Sequence, residues 1–428
     1  MLTPFGRDVR ERFFASLDGD THFLNHGSYG VSPSPVMEAR FEALRAVERN
    51  VDLFFRNDLK ALHDVAIGAL ASVVGLSGDP SSLVFTDNAT MGVQIAVVSA
   101  LRAAGDARAK VLVDFSSTYN ACQIIVSELA ARTPGTTHVR VQLGPDGAAL
   151  TLSDEQIVGL ATAALNDAAK SGAQVILMLD HFASINGALM PVAAITAAAR
   201  KVGATVIIDG AHAIGQIALD LATLDCDFYT SNLHKWLYAS RHVAFLHVRA
   251  SFQQFTEPLL ISHHHRRSFQ LKFLMQGTRD ETRLVVVPAA VRFVKDQLGG
   301  FERIWAYQRD FLDRACARIT AAWGTRCPFG PERRRAMALI ELPDLATFPF
   351  PVSDADGFAF MSLLYRKWRI VVPIQTIGQR MYVRISAQVY VGDDSIDALL
   401  QAIAEIRAAR TRQEIGFDDT RDWASYRW

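Results

Sequence analysis

The sequence predicts an α/β fold in which a large domain, built on a mostly parallel sheet between helices, is followed by a smaller α+β domain. Three observations point to it. Apolar runs at 110–115 (KVLVDF), 175–180 (VILMLD), 205–209 (TVIID), 228–231 (FYTS) and 243–248 (VAFLHV) are continuous, as strands buried on both faces are. Helical stretches at 90–104, 153–171 and 192–202 lie before or between them, the alternation from which parallel sheets are built. From about residue 282 the texture changes. A long helical pattern at 282–323, broken at Gly299-Gly300, leads to strand candidates at 336–342, 369–372 and 381–386 and helices at 354–368 and 395–409. The expected division is 1–22, a segment packing with the small domain, then 23–281 and 282–428. Ligands of such sheets bind beyond the carboxyl ends of the strands, and a cleft between two domains is a natural site.

Composition narrows the function classes. The chain has 428 residues, 44 Lys+Arg against 44 Asp+Glu, and is half hydrophobic. A neutral chain without a basic stretch lacks the field that nucleic acid or anionic lipid requires, and its apolar content excludes disorder. No window is apolar for the ~18 residues of a membrane span, and the N-terminus MLTPFGRDVRERFF lacks the apolar run of a signal peptide. Cys122, Cys226, Cys316 and Cys327 show no zinc-type spacing and read as reduced thiols. A cytoplasmic protein without nucleic-acid or membrane partners is expected. The tail 418–428, with two tryptophans and a tyrosine, is expected to dock on the surface. Only eight of the basic residues are lysines.

One of those lysines carries the chemistry. Asp209 ends a buried strand, where an ionised carboxylate is costly unless a cation faces it. Lys235 follows a second strand by four residues, flanked by His234 and Trp236. Strand ends thus bring a carboxylate and an amine to one edge of the sheet. An amine in an apolar site becomes a Schiff-base nucleophile, and a carboxylate facing a pyridinium nitrogen lets pyridoxal phosphate act as an electron sink. An ordinary interior ion pair is the alternative.

Other runs supply the remaining parts. Asn88, Ala89 and Thr90 stand where a helix begins, either as a phosphate cradle or as a simple helix cap. Tyr119, after the strand 110–115, is placed to lie over a ring or merely to pack. Asp180, His181 and Ser184 follow another strand end, with Gly187 for the turn. Arg384, inside an apolar strand of the small domain, calls for a carboxylate to fork.

These residues resemble the class V aminotransferases of pyridoxal phosphate fold type I, in particular the isopenicillin N epimerase-like branch, which is related to cysteine desulfurases and ergothioneine-pathway C–S lyases. The resemblance runs through FLNHGSYGVSP (23–33), NAT (88–90), STYNA (117–121), DHFASINGALMPV (180–192), IDGAHAIGQ (208–216), SNLHKWL (231–237), QGTRD (276–280) and VRISAQVY (383–390). It implies a mostly parallel, seven-stranded sheet in the large domain. It also implies Lys235 as the internal-aldimine lysine and Asp209 as partner of the pyridine nitrogen. His212 and Ser184 fall near the phenolic oxygen, Tyr119 over the ring, and Asp180 within the cofactor site. Thr90, His234 and the Ala89 N–H fall at the phosphate beside Asn88. Asn25, His26 and Arg384 are implied at the substrate, Arg384 as the α-carboxylate fork. Gly277 and Thr278 are implied to reach a neighbouring subunit's phosphate, hence a homodimer with shared sites. The chain departs from the family pattern at Met91, where a second Thr is usual, at Ser240-Arg241-His242, where Pro-Lys-Gly is usual, and at Met275-Gln276.

Three reactions at Cα of an amino-acid substrate stay open. Epimerisation needs a second acid, for which Tyr119 is a candidate. β-Elimination expels a sulfur group and needs none at Cα, while transamination moves the proton through Lys235. Persulfide chemistry is disfavoured, because 373–380 (PIQTIGQR) has no cysteine. A different class rests on His263-His264-His265 with Arg266 and Arg267, as a metal or anion site in a metal-binding or non-catalytic protein. Consecutive histidines point to alternate faces, so no metal is expected there.

Overall fold

The computed structural model describes residues 2–106, 108–144 and 149–417; the expected docking of the tail 418–428 lies outside them. Seven strands form one sheet: β1 (Leu83–Thr86), β2 (Lys110–Phe115), β3 (Thr136–Val141), β4 (Gln174–Asp180), β5 (Thr205–Asp209), β6 (Phe228–Asn232) and β7 (Ala244–Val248). Their order is β1-β7-β6-β5-β4-β2-β3, and β7 runs antiparallel to both its neighbours. The other pairings are parallel.

Apolar continuity in the strands has a simple cause, since successive side chains enter two different cores. Leu112, Ile176, Met178 and Ile207 face one core, under the helices Ala89–Ala104 and Asn120–Arg132. Val111, Val113, Leu177, Leu179, Val206 and Ile208 face the other. Each such side chain contributes roughly 1.5–3 kcal/mol on burial. Two strands of this sheet escaped the sequence reading, β1 and β3. β1 is a four-residue run, and β3 (TTHVRV) is an edge strand in which half-buried and exposed residues alternate.

A second, antiparallel sheet has the order β9-β10-β8, with β8 (Met337–Glu341), β9 (Ile374–Ile377) and β10 (Arg380–Ser386). The helices Phe301–Trp323, Asp354–Trp368 and Asp393–Ala408 accompany it. The N-terminal segment joins this part of the molecule. His22–Phe23 pairs in parallel with Ile370–Val371, and the Gly6 N–H donates to Val389 O at 2.7 Å. The helix expected at 282–323 is in pieces: a 3-10 turn Glu281–Leu284, a helix Val286–Arg292, a wide π-type turn Phe293–Gln297 and the helix Phe301–Trp323. The break falls at Gly299 and Gly300, both with positive φ. Among the described residues no helix is long and apolar enough to cross a membrane.

The sheet matters for the site because all its parallel strands end on one edge. β4 and β5 end in register, Asp180 opposite Asp209, and β6 runs straight into the turn that bears Lys235.

Candidate active site

Lys235 sits on a single helical turn, Leu233–Trp236, immediately after β6. Two close backbone approaches hold that turn. Gly30, with φ +69°, lies so near that a Cβ there would stand 1.7 Å from the His234 carbonyl oxygen. A Cβ on Gly215, φ +85°, would stand 2.2 Å from the Trp236 carbonyl oxygen. A side chain at either position has no room, which gives a physical reason for the glycines of NHGSYG and HAIGQ. The Lys235 carbonyl is bound in turn by His26 Nε2 at 2.5 Å, while His26 Nδ1 meets the Tyr390 hydroxyl at 2.8 Å. Both ring nitrogens of His26 are therefore engaged within the protein and the ring is fully buried. His26 was expected at the substrate; here its ring braces the lysine turn.

Burial lowers the Lys235 amine from its ordinary range to about 8, although the Asp209 carboxylate pulls the other way. Nζ lies 3.0 Å from His212 Nε2. His212 is held neutral, well below its usual range, first by burial and then by the charges of Lys235 and Arg384. Its Nδ1 accepts from the Trp236 indole at 3.4 Å, and Ser184 Oγ stands 3.5 Å from Nε2.

Asp209 accepts from the Ala211 N–H at 2.9 Å and from the Cys122 thiol at 3.4 Å. Burial raises its carboxyl, and raises that of Asp180 well above the usual range, with the Asp209 charge adding to the effect. One oxygen of Asp180, Oδ2, is buried without a partner. Tyr119, at the N-cap position of the helix Asn120–Arg132, is half exposed, and burial raises its phenol. Arg384 is buried on β10. It donates to Ser184 O and, at 3.3 Å, to Ser28 Oγ, which itself donates to Asn25 Oδ1 at 2.6 Å. Its Nε has no partner. Asn25 thus reaches Arg384 through Ser28.

The helix Ala89–Ala104 begins at the same edge. Asn88 caps it, its Oδ1 accepting from the Met91 N–H at 2.9 Å. Ala89 N–H, expected at a phosphate, instead donates to Asn232 Oδ1 at 2.9 Å, because β6 places that amide across from the helix start. Thr90 remains, with its hydroxyl and a first-turn N–H that no helical carbonyl can reach. His234 Nδ1 is also buried without a partner. Gly277 and Thr278 are exposed on the single chain.

The departures from the family pattern take a definite form. His242 holds φ +69°, the left-handed conformation a glycine adopts easily. Its carbonyl accepts from the buried Arg283 at 3.0 Å, and Arg283 also pairs with Asp87 and Glu281. Arg40 links Ser240 to Asp280. In the histidine run, His265 Nε2 meets Glu257 at 3.5 Å, and the described residues bring no three metal-ligating side chains together.

Sequence reasoning missed Ser28, Cys122, Trp236 and Asn232. Cys122 had a usable signal: three places after Tyr119, it lies in the first turn of the following helix, over the strand ends.

Pyridoxal phosphate can be tested against this arrangement. Among the buried atoms without a partner, Asp180 Oδ2, His234 Nδ1 and Arg384 Nε lack what a cationic ring, a phosphate and a carboxylate would provide. With a buried amine of lowered basicity among them, the residues fit the group. The fold and this edge of the sheet define a pyridoxal phosphate enzyme of fold type I. The chain belongs to the family described as Aminotransferase class-V, which it matches over residues 69–349. It is 30% identical over 409 residues to "Putative L-cysteine desulfhydrase 1" of Oryza sativa subsp. japonica, covering 90% of this chain and 83% of that protein. It is 28% identical to the isopenicillin N epimerase of Amycolatopsis lactamdurans over 95% of this chain and all of the relative. Among solved structures, the complex of the cystine C–S lyase C-DES with cysteine persulfide aligns with a TM-score of 0.73. That match has 19% identity and covers 92% of this chain and 99% of the other, which establishes shared fold. The cysteine desulfurase CsdA of Escherichia coli aligns with a TM-score of 0.71 at 17% identity, over 92% and 96%.

Proposed function

We propose that the enzyme is a carbon–sulfur lyase acting on a cysteine-type amino acid, with Lys235 as the base at Cα. The observation that carries this reading is the buried Lys235 amine, 3.0 Å from His212 and lowered by burial to about 8, with the charges of Asp209 and Arg384 acting on it in opposite directions. When bound, pyridoxal phosphate supplies the electron sink that makes an α-hydrogen removable. Asp209 faces the ring nitrogen, its charge held by Ala211 and Cys122. Thr90 and His234 take the phosphate beside Asn88, and Tyr119 covers the ring. His212 and Ser184 would hold the phenolic oxygen, and Asp180 would lie beside Asp209 in the cofactor site. Arg384 binds the substrate carboxylate by exchanging Ser184 O and Ser28 Oγ for it. The expected unit 23–281 thus contributes the amine and 282–428 the carboxylate fork. Lys235 takes the α-proton and returns it to the departing sulfur, leaving an enamine that hydrolyses to pyruvate and ammonia. Similarity to cysteine desulfhydrases over nine-tenths of the chain supports elimination.

Epimerisation is a second reading, favoured by Tyr119: its raised phenol keeps its proton, as a donor to the opposite face of Cα must. The test is incubation with L-cysteine and other amino acids in deuterated water. Pyruvate and sulfide support the lyase; α-deuteration with inversion and no pyruvate supports the epimerase. Keto-acid-dependent amino transfer would replace both readings with transamination.

We also propose a cytoplasmic homodimer. Four free cysteines suit a reducing compartment. Leu259, Leu260 and Ile261 are exposed, as are Phe41, Leu44, Val51 and Leu53, and Gly277-Thr278 stays free to meet the partner's phosphate site.

A further inference from the structure

We infer that Trp236 is a positioning residue that fixes the tautomer of His212, so that His212 presents a hydrogen, not a lone pair, to Lys235. The argument is one of donors and acceptors. An indole N–H donates and never accepts. Trp236 Nε1 donates to His212 Nδ1 at 3.4 Å, so that nitrogen carries no proton. A buried neutral imidazole has a single N–H, which must then be on Nε2. Nε2 faces Lys235 Nζ at 3.0 Å and Ser184 Oγ at 3.5 Å. The only acceptor at Nζ is the lone pair of the free amine. Trp236 therefore favours the unprotonated lysine through His212, in addition to what burial does.

The ring is well held for this task. Trp236 is buried among Ala336 and Met337, the His212 carbonyl accepts from Gln216 Nε2 at 2.6 Å, and the Lys235 carbonyl is bound by His26. The charged and titratable groups acting on Lys235 come from several elements: Asp209 on β5, Cys122 on the helix Asn120–Arg132 and Arg384 on β10. His212 and His234 complete the set. None of the others provides a donor-only contact to His212 Nδ1. The catalytic importance of the tautomer rests on Lys235 being the cofactor-bearing amine; the tautomer itself rests on three side chains.

The experiment is a pH titration of the Lys235 amine in the full chain freed of cofactor, by competitive acetylation and peptide mass spectrometry. Trp236→Phe removes the N–H, His212 becomes free to accept from a lysine ammonium, and the midpoint rises by about one pH unit, tenfold in free amine below it. Loosened packing would hydrate the lysine and raise the midpoint as well, so the same change is made in a His212→Ala background. There Trp236→Phe leaves the midpoint where His212→Ala alone puts it. If Trp236→Phe fails to fold, 3-benzothienylalanine at 236 keeps the ring shape and deletes only the N–H. An unchanged midpoint in the single variant, or an equal shift in both backgrounds, overturns the inference. Borohydride trapping with pyridoxal phosphate in parallel separates the readings: no attachment at Lys235 sinks the cofactor assignment while the titration still decides the tautomer.

Discussion

Replacing Gly30 with alanine is expected to cripple cofactor attachment while leaving the large sheet in place. The magnitude follows from two features. Gly30 has φ +69°, where an L side chain costs about 1–2 kcal/mol. Its new Cβ would stand 1.7 Å from the His234 carbonyl oxygen and 3.2 Å from Lys235 Cα. The lysine turn must therefore retreat by roughly 1.5 Å to reach an ordinary contact, and overpacking of that kind costs about 1–3 kcal/mol. Together these come to about 2–5 kcal/mol. For a cooperative unit of this size the melting temperature falls by about 2–5 °C. The kinetic effect is larger, because a displacement of about 1 Å at a reacting group costs on the order of 10²-fold. The assay mixes cofactor-free protein with pyridoxal phosphate, quenches with borohydride at timed intervals and quantifies the modified Lys235 peptide; calorimetry follows stability. Gly159→Ala is the control, since its Cβ would meet nothing within 4 Å inside the helix Asp154–Ala169. Attachment within threefold of the parent, with a melting temperature within a degree, would refute the view that Gly30 holds the lysine turn.

Three further outcomes are expected. Asp209→Asn removes the carboxylate that raises the Lys235 amine, so the pH midpoint of attachment shifts below about 8; a midpoint that rises contradicts the pairing. Arg384→Lys keeps the charge but loses the fork, and KM for the amino acid increases by about tenfold or more with kcat little changed; an unaltered KM removes Arg384 from the substrate site. His242→Gly relaxes a left-handed residue and stabilises the fold by about 1 kcal/mol in urea unfolding; destabilisation would show that the His242 side chain contributes more than its backbone strain costs.

How far the sequence reaches differs between elements and contacts. Strands β2, β4, β5, β6 and β7 were legible because burial on both faces makes them continuous apolar runs. β3 alternates half-buried and exposed residues at the sheet edge, and β9 is only four residues long, so neither stands out. In the site, Asp209, Lys235 and Arg384 stand out in the sequence as polar groups set in apolar context, whereas His212 enters only through the family resemblance. What the sequence does not display are contacts between distant segments. Gly30 meets His234, Ser28 meets Arg384 and Trp236 meets His212 only because strand ends and the N-terminal segment converge. The partners of Ala89 and His26, Asn232 and the Lys235 carbonyl, are hidden from the sequence for the same reason: they arrive from elsewhere in the chain.

With the cofactor placed as proposed, the register that sets Asp180 beside Asp209 would make the site a charge filter. Two buried carboxyls, one with an unpartnered oxygen, are relieved by a ring bearing a positive nitrogen and gain nothing from a benzene ring of the same outline. A flat phosphorylated aldehyde without that nitrogen is expected to bind more weakly. The relief also acts on the folded state, since each tenfold of free cofactor above its dissociation constant adds about 1.4 kcal/mol of stability. The unloaded chain is accordingly expected to be the less stable form and the more open to proteolysis.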